Sequence, residues 1–283
     1  MPPVELATIE HVSTRQPLTL HEGTPMPLVD AEELGPSSAG LAIWSALAIF
    51  FGYLVGQVAG GILVALVAGI AAGLQGSHLG DPQLGGLFNE AIVGPAAVVG
   101  VLVGAIVALN LTRYFYGGAA DFYRGVGWSR GTWTQLAVGV AGGVLLGAGY
   151  LFIGVNFLPP RADTPIGPVT QLANSPGSAR LYWAFLVLAL APPMEEFLFR
   201  GVLFTGFSRS WGMPTASLIV TLMFALVHVP ETMHYWPALA AIALTGASAL
   251  AIRLHTGSLG PAVALHAAYN LIIVLGLFVS TSG

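Results

Sequence analysis

From position 41 onward the chain alternates long apolar runs with short breaks rich in polar residues, glycine and proline. Seven runs are long enough to be read as membrane helices: roughly 41–74, 91–111, 133–157, 181–207, 213–230, 235–253 and 259–281. At about 1.5 Å of rise per residue the first is longer than an upright crossing needs, so tilt, a kink or a partly interfacial course is expected. Residues 1–39 show no such periodicity. They carry Pro2, Pro3, Pro17, Pro25, Pro27 and Pro36, too little apolar surface to fold alone, and no basic start followed by a short apolar core. The pattern therefore predicts a flexible tail over 1–39, no cleavable signal peptide, and a retained first anchor. The expected fold is an all-α polytopic transmembrane helical bundle of about seven to eight membrane helices, one integral domain divided into helices of 40–179 and of 180–283.

Composition agrees: 55% of residues are hydrophobic, 8% are charged, and mean hydropathy is +0.79. The formal charge of −4 comes largely from the tail, where six acids face only Arg15, so no basic face for nucleic acid exists. The absence of cysteine removes disulfides, thiolate metal sites and cysteine nucleophiles. Arg113, Arg124 and Arg130 share the second connection, Arg209 follows the fourth run and Arg253 ends the sixth, whereas the first connection holds Asp81 and Glu90. The positive-inside rule then puts the N-terminus inside and the C-terminus outside, against the opposing Arg161 and Arg180, in what is expected to be a bacterial cytoplasmic membrane. Small residues four apart (Gly56 with Gly60, Gly69 with Gly73, Gly100 with Gly104, and Gly139, Gly143, Gly147) allow close helix packing, inside the bundle or at a homodimer seam. No internal repeat of the kind found in many transporters is visible.

Candidate chemistry is concentrated late in the chain. Glu195, Glu196 and Arg200 interrupt an apolar run, and ionised groups at the middle of a membrane helix cost roughly 2.5–3.5 kcal/mol each on insertion scales, so they need partners and a purpose. Glu196 and Arg200, at i and i+4, can pair along one face, leaving Glu195 free to take and return a proton. Phe224 and His228 share a face of one later helix, and His266 and Asn270 share a face of another. Pro192 and Pro193 are expected to bend the helix and open a wet cavity beside the glutamates. Glu231, His234, Glu90, His78 and His255 read as loop residues, and Trp211 and Trp236 as interfacial anchors.

These three elements in order resemble the membrane-embedded endopeptidases that include the type II CAAX prenyl proteases and the bacterial CPBP or Abi proteins linked to bacteriocin processing or self-immunity. Two glutamates, three residues and an arginine look like Glu195, Glu196 and Arg200; the Phe-x-x-x-His element looks like Phe224 and His228; the His-x-x-x-Asn element looks like His266 and Asn270. The likeness covers about residues 180–280. It implies peptide-bond hydrolysis in a membrane cavity: Glu195 and His228 activate water, His266 and Asn270 stabilise the oxyanion, and Glu196, Arg200 and Phe224 support them. The substrate implied is a membrane-associated peptide or protein. Hydrolysis without a metal is favoured, with zinc on Glu195, His228 and His266 as the alternative. A proton-coupled transporter and a non-catalytic immunity or scaffold protein stay open as rivals. The family's eukaryotic branch looks eight-spanning, one more than is counted here. One tension remains: measured from the expected helix ends, Glu195 lies about 15 Å deep, His266 about 10 Å and His228 over 20 Å, although catalysis needs them at one level.

Overall fold

The computed structural model describes residues 42–75, 92–117, 119–160, 164, 171, 178–232 and 234–280. The acidic tail, the first connection with His78, Asp81 and Glu90, and Arg161 lie outside the described residues. The described residues contain helix and no strand. In order these are α1 (Ile43–Leu74), α2 (Val93–Tyr116), α3 (Ala119–Val126), α4 (Trp133–Asn156), α5 (Ser178–Phe185), α6 (Ala191–Glu196), α7 (Phe204–Val227), α8 (Val229–Thr232), α9 (Trp236–Thr256) and α10 (Leu259–Ser280). Two π-helical stretches, Leu186–Leu190 and Phe197–Leu203, join α5, α6 and α7 into one helical course.

Six helical stretches are long and apolar enough to cross a membrane, and one of them, Ala179–Val227, makes two passes. Gly212, at φ 77° and ψ 161°, breaks it. Straight helix would hold positions 199 and 224 about 37 Å apart. Instead the rings of Phe199 and Phe224 meet edge to face at 5.2 Å between centroids, so the chain doubles back at Gly212. A backbone with positive φ there favours glycine. The reversal falls within the break expected between 207 and 213, but the first arm runs on to its end at Gly212, because a polar Ser208–Arg209–Ser210 does not end a helix that glycine ends two residues later. The short α3 was not expected from the apolar pattern.

The early helices pack through glycine. A Cβ at Gly60 would lie 2.8 Å from the Gly100 Cα, and one at Gly56 would lie 2.7 Å from the Gly104 Cα, so α1 and α2 cross in antiparallel backbone contact. Gly139, Gly143 and Gly147 of α4 likewise seat against Pro261, Leu265 and Ile272 of α10, which runs parallel to it. These glycines serve internal packing. Gly73, by contrast, faces nothing within 4 Å.

These contacts also sort the helix ends. The Leu259 amide donates to the Gly127 carbonyl, the Gly260 amide to the Ser129 carbonyl, and the Thr205 hydroxyl to the Gly125 carbonyl. Gly127 and the Arg253 side chain are in contact, and Gly206 packs on Ala46. Arg113, Arg124, Arg130, Arg209 and Arg253 therefore share one end of the bundle with the start of α1. At the opposite end the Tyr235 hydroxyl donates to the Leu158 carbonyl, and Arg180 stacks on Phe278 at 3.8 Å.

Candidate active site

The site begins with the two prolines. In the π-helical stretch Leu186–Leu190 hydrogen bonds run from i+5, as the Ala191 amide to the Leu186 carbonyl does. The next donor in that register would be residue 192, which is proline and has no N–H. The carbonyl of Val187 is left over, and the Asn270 side-chain amide donates to it at 2.8 Å. Pro192 thus ties α10 to the helix that carries the glutamates, and fixes the plane of the Asn270 amide with one N–H still unspent on Val187.

One turn on, Glu196 and Arg200 are buried at 0% and 1% exposure. Arg200 donates through Nη1 to Glu196 Oε1 at 3.0 Å and through Nη2 to the Gly246 carbonyl of α9 at 2.8 Å. A Cβ at Gly246 would stand 2.9 Å from that nitrogen and 2.7 Å from the Phe224 ring, so only glycine leaves room. Phe224 lies beneath the guanidinium at 4.2 Å and also touches the rings of His228 and His266, at 4.8 and 5.8 Å. It is the hub that holds both imidazoles and the arginine in one layer.

His228 Nδ1 lies 2.7 Å from the Phe224 carbonyl, which can only accept, so Nδ1 carries the hydrogen. His266 Nδ1 lies 2.9 Å from Glu196 Oε1, the carboxylate that Arg200 neutralises, and donates to it in the same way. Both rings therefore turn Nε2 toward Glu195. Each Nε2 lies 3.8 Å from Glu195 Oε2. Two imidazole lone pairs and a carboxylate oxygen converge on one point.

The three groups meet because of where the helix reverses. Glu195 lies 17 residues before Gly212 and His228 lies 16 residues after it, so both stand about 24–26 Å from the turn. His266 reaches the same level because the start of α10, with Ser258, Leu259 and Ala262 buried, is itself tucked beneath the segment around Gly127. The mismatch between Glu195 and His228 came from ending the fourth run at 207.

A cavity of about 750 Å³ opens over this layer, lined by Glu195, His228, His266 and Asn270. Its other walls bring residues that sequence reasoning did not select. Tyr53 and Gln57 come from α1, Tyr150 from α4, Tyr269 from α10 and Thr245 from α9. Tyr53 and Gln57, polar at i and i+4 in an otherwise apolar helix, were the signal available for the α1 wall. Glu231, expected as a solvated loop residue, lines the mouth of the cavity, whereas His234 and His255 are exposed as expected. At that mouth burial pushes the Tyr235 phenol above its ordinary range.

Glu195, His228 and His266 are also the alternative zinc set. Bonds of about 2.0–2.1 Å in tetrahedral geometry need donors about 3.4 Å apart. The two Nε2–Oε2 separations are 3.8 Å, and among the described residues no group of three or more His, Asp or Glu is arranged to hold a metal ion.

No curated protein and no solved structure matches this chain. Residues 177–272 match the family model described as Type II CAAX prenyl endopeptidase Rce1-like. That stretch, about a third of the chain, contains all the residues of the layer from Glu195 to Asn270, so the part of the protein that carries the site is similar to the CAAX-type membrane endopeptidases.

Proposed function

We propose that the protein is an intramembrane endopeptidase that hydrolyses a peptide bond with water activated by Glu195, without a metal. The observation that carries this reading is Glu195 Oε2 held equidistant from His228 and His266 Nε2, in the wall of a cavity large enough for a peptide segment. Glu195, 23% exposed, takes a proton from a water in the cavity as the water oxygen bonds to the scissile carbonyl carbon. His228, its ring fixed by the Phe224 carbonyl, orients that water and shares the proton. The carbonyl oxygen becomes an oxyanion, which accepts hydrogen bonds from the remaining Asn270 N–H and from His266 when Nε2 is protonated. Glu196 stabilises that imidazolium from the other side of the ring, as a carboxylate does behind a catalytic histidine. The proton on Glu195 then passes to the leaving nitrogen as the C–N bond breaks, giving a carboxylate and an amine.

The substrate class is a membrane-associated peptide or protein. Purified protein in detergent, offered a peptide library in micelles, should cleave with and without a chelator, and Glu195→Gln should lower the rate by roughly 10²–10⁴ while leaving helix content unchanged. Activity that vanishes with chelator and returns with stoichiometric zinc would overturn the metal-free mechanism. Cleavage undiminished in Glu195→Gln would overturn the role of Glu195.

A further inference from the structure

The cavity and the arginines occupy opposite ends of the bundle. The five arginines at the α1 end sit on the contacts around Gly125–Arg130, Gly206 and Leu259, and none of them lines the cavity. From the layer of Glu195 the cavity runs the other way, past His228 to Glu231, Thr232 and Tyr235 and to Pro160 and Thr164. The helices themselves make the opening. The second pass of the hairpin ends at Val227, level with the site, and α9 begins only at Trp236, so between them the bundle is a single turn of helix, α8, rather than a full-height wall. On the arginine side the same layer is closed by Arg200, Phe197, Leu198, Phe224 and Leu203, all at 1% exposure or less.

Arginine in the short connections stays on the cytoplasmic side of a membrane, and the five at the end carrying Arg113, Arg124, Arg130, Arg209 and Arg253 outnumber Arg180 at the other end. We infer that the active-site cavity opens to the extracytoplasmic face, so that its substrate is an extended segment of a membrane-anchored polypeptide presented at the outer leaflet. This rests on the endopeptidase reading for the word substrate, but the side of opening stands independently of it. A chain anchored only in the cytoplasmic leaflet would meet the closed floor of Phe197, Leu198 and Phe224.

The chain has no cysteine, so single-cysteine variants report one position each. His234→Cys places a thiol at the exposed cavity end, Thr164→Cys at the cavity mouth, and Ser210→Cys at the exposed arginine end. A membrane-impermeant maleimide applied to intact cells should label His234→Cys and Thr164→Cys, and should label Ser210→Cys only after permeabilisation. Labelling of Ser210→Cys alone in intact cells overturns the orientation. Labelling of His234→Cys without Thr164→Cys from outside overturns the opening. His234 and Ser210 lie outside the cavity lining, so these two variants should cleave at the wild-type rate in detergent. Loss of cleavage in Glu195→Gln bears on the endopeptidase reading alone, and the labelling pattern on sidedness alone.

Discussion

The two halves of the bundle solve the membrane problem in opposite ways. Helices α1, α2 and α4 carry no buried ion pair; they approach through glycine and show lipid-facing side chains, with only 11% of the α1 span and 17% of the α4 span buried. The half from α5 to α10 buries Glu196 and Arg200 completely, breaks its helix twice into π-helical turns, and fills the layer below with Phe197, Phe199 and Phe224. Lipid offers helices no hydrophobic gain on association, so the first half relies on close van der Waals contact. The second half relies on polar groups that find each other because hydrocarbon gives them no other partner. The lesson is that one half should answer to volume and the other to charge and hydrogen bonding.

Charge should give the larger effect. Arg200→Ala leaves Glu196 buried beside a lone His266, and breaking such a pair costs about 3–5 kcal/mol, enough to lower the thermal midpoint in detergent sharply and to lose cleavage with it. Arg200→Lys should recover only part of this, since an ammonium cannot reach Glu196 and the Gly246 carbonyl as a fork does. A stability unchanged in Arg200→Ala would erase the contrast between the halves.

Asn270→Ala separates support from chemistry. Loss of an oxyanion donor should reduce kcat by roughly 10²–10³ with little change in KM. Because Asn270 also satisfies the Val187 carbonyl, a modest loss of stability should accompany it. A proton relay would tolerate the change far better, so near-normal turnover would favour the transporter class.

Volume should matter next. Gly104→Ala drives a Cβ to 2.7 Å from the Tyr53 carbonyl and 2.9 Å from its ring, and overpacking of this kind costs about 1–3 kcal/mol. The Tyr53 ring lines the cavity, so the measured KM should rise along with the fall in stability. Gly73→Ala, in the same helix pair but facing open space, should leave both unchanged; a clear effect there would point to a neighbour bound on that face.

Much was legible from the sequence because the bilayer restricts the possible structures so severely. The seven apolar runs became helices within a few residues of their expected bounds, since length and hydropathy leave a lipid-exposed segment no other way to satisfy its backbone. The i and i+4 spacings of Glu196 with Arg200, Phe224 with His228 and His266 with Asn270 already placed each pair on one helical face. Pro192 and Pro193 announced a disturbed helix, and the lack of cysteine removed thiol chemistry.

Tertiary structure decided what faces what. The reversal at Gly212 puts Glu195 and His228 at one height, whereas ending the first arm at 207 while starting the second at 213 shifts one relative to the other by about 7.5 Å. Pairing of Asn270 with Val187, of His266 with Glu196, and the arrival of Tyr53 from α1 join residues 70 or more positions apart, and helical periodicity carries no information over that range. Periodicity fixes which side chains share a face within one helix; only packing of backbone against backbone, set here by glycine, fixes which faces meet.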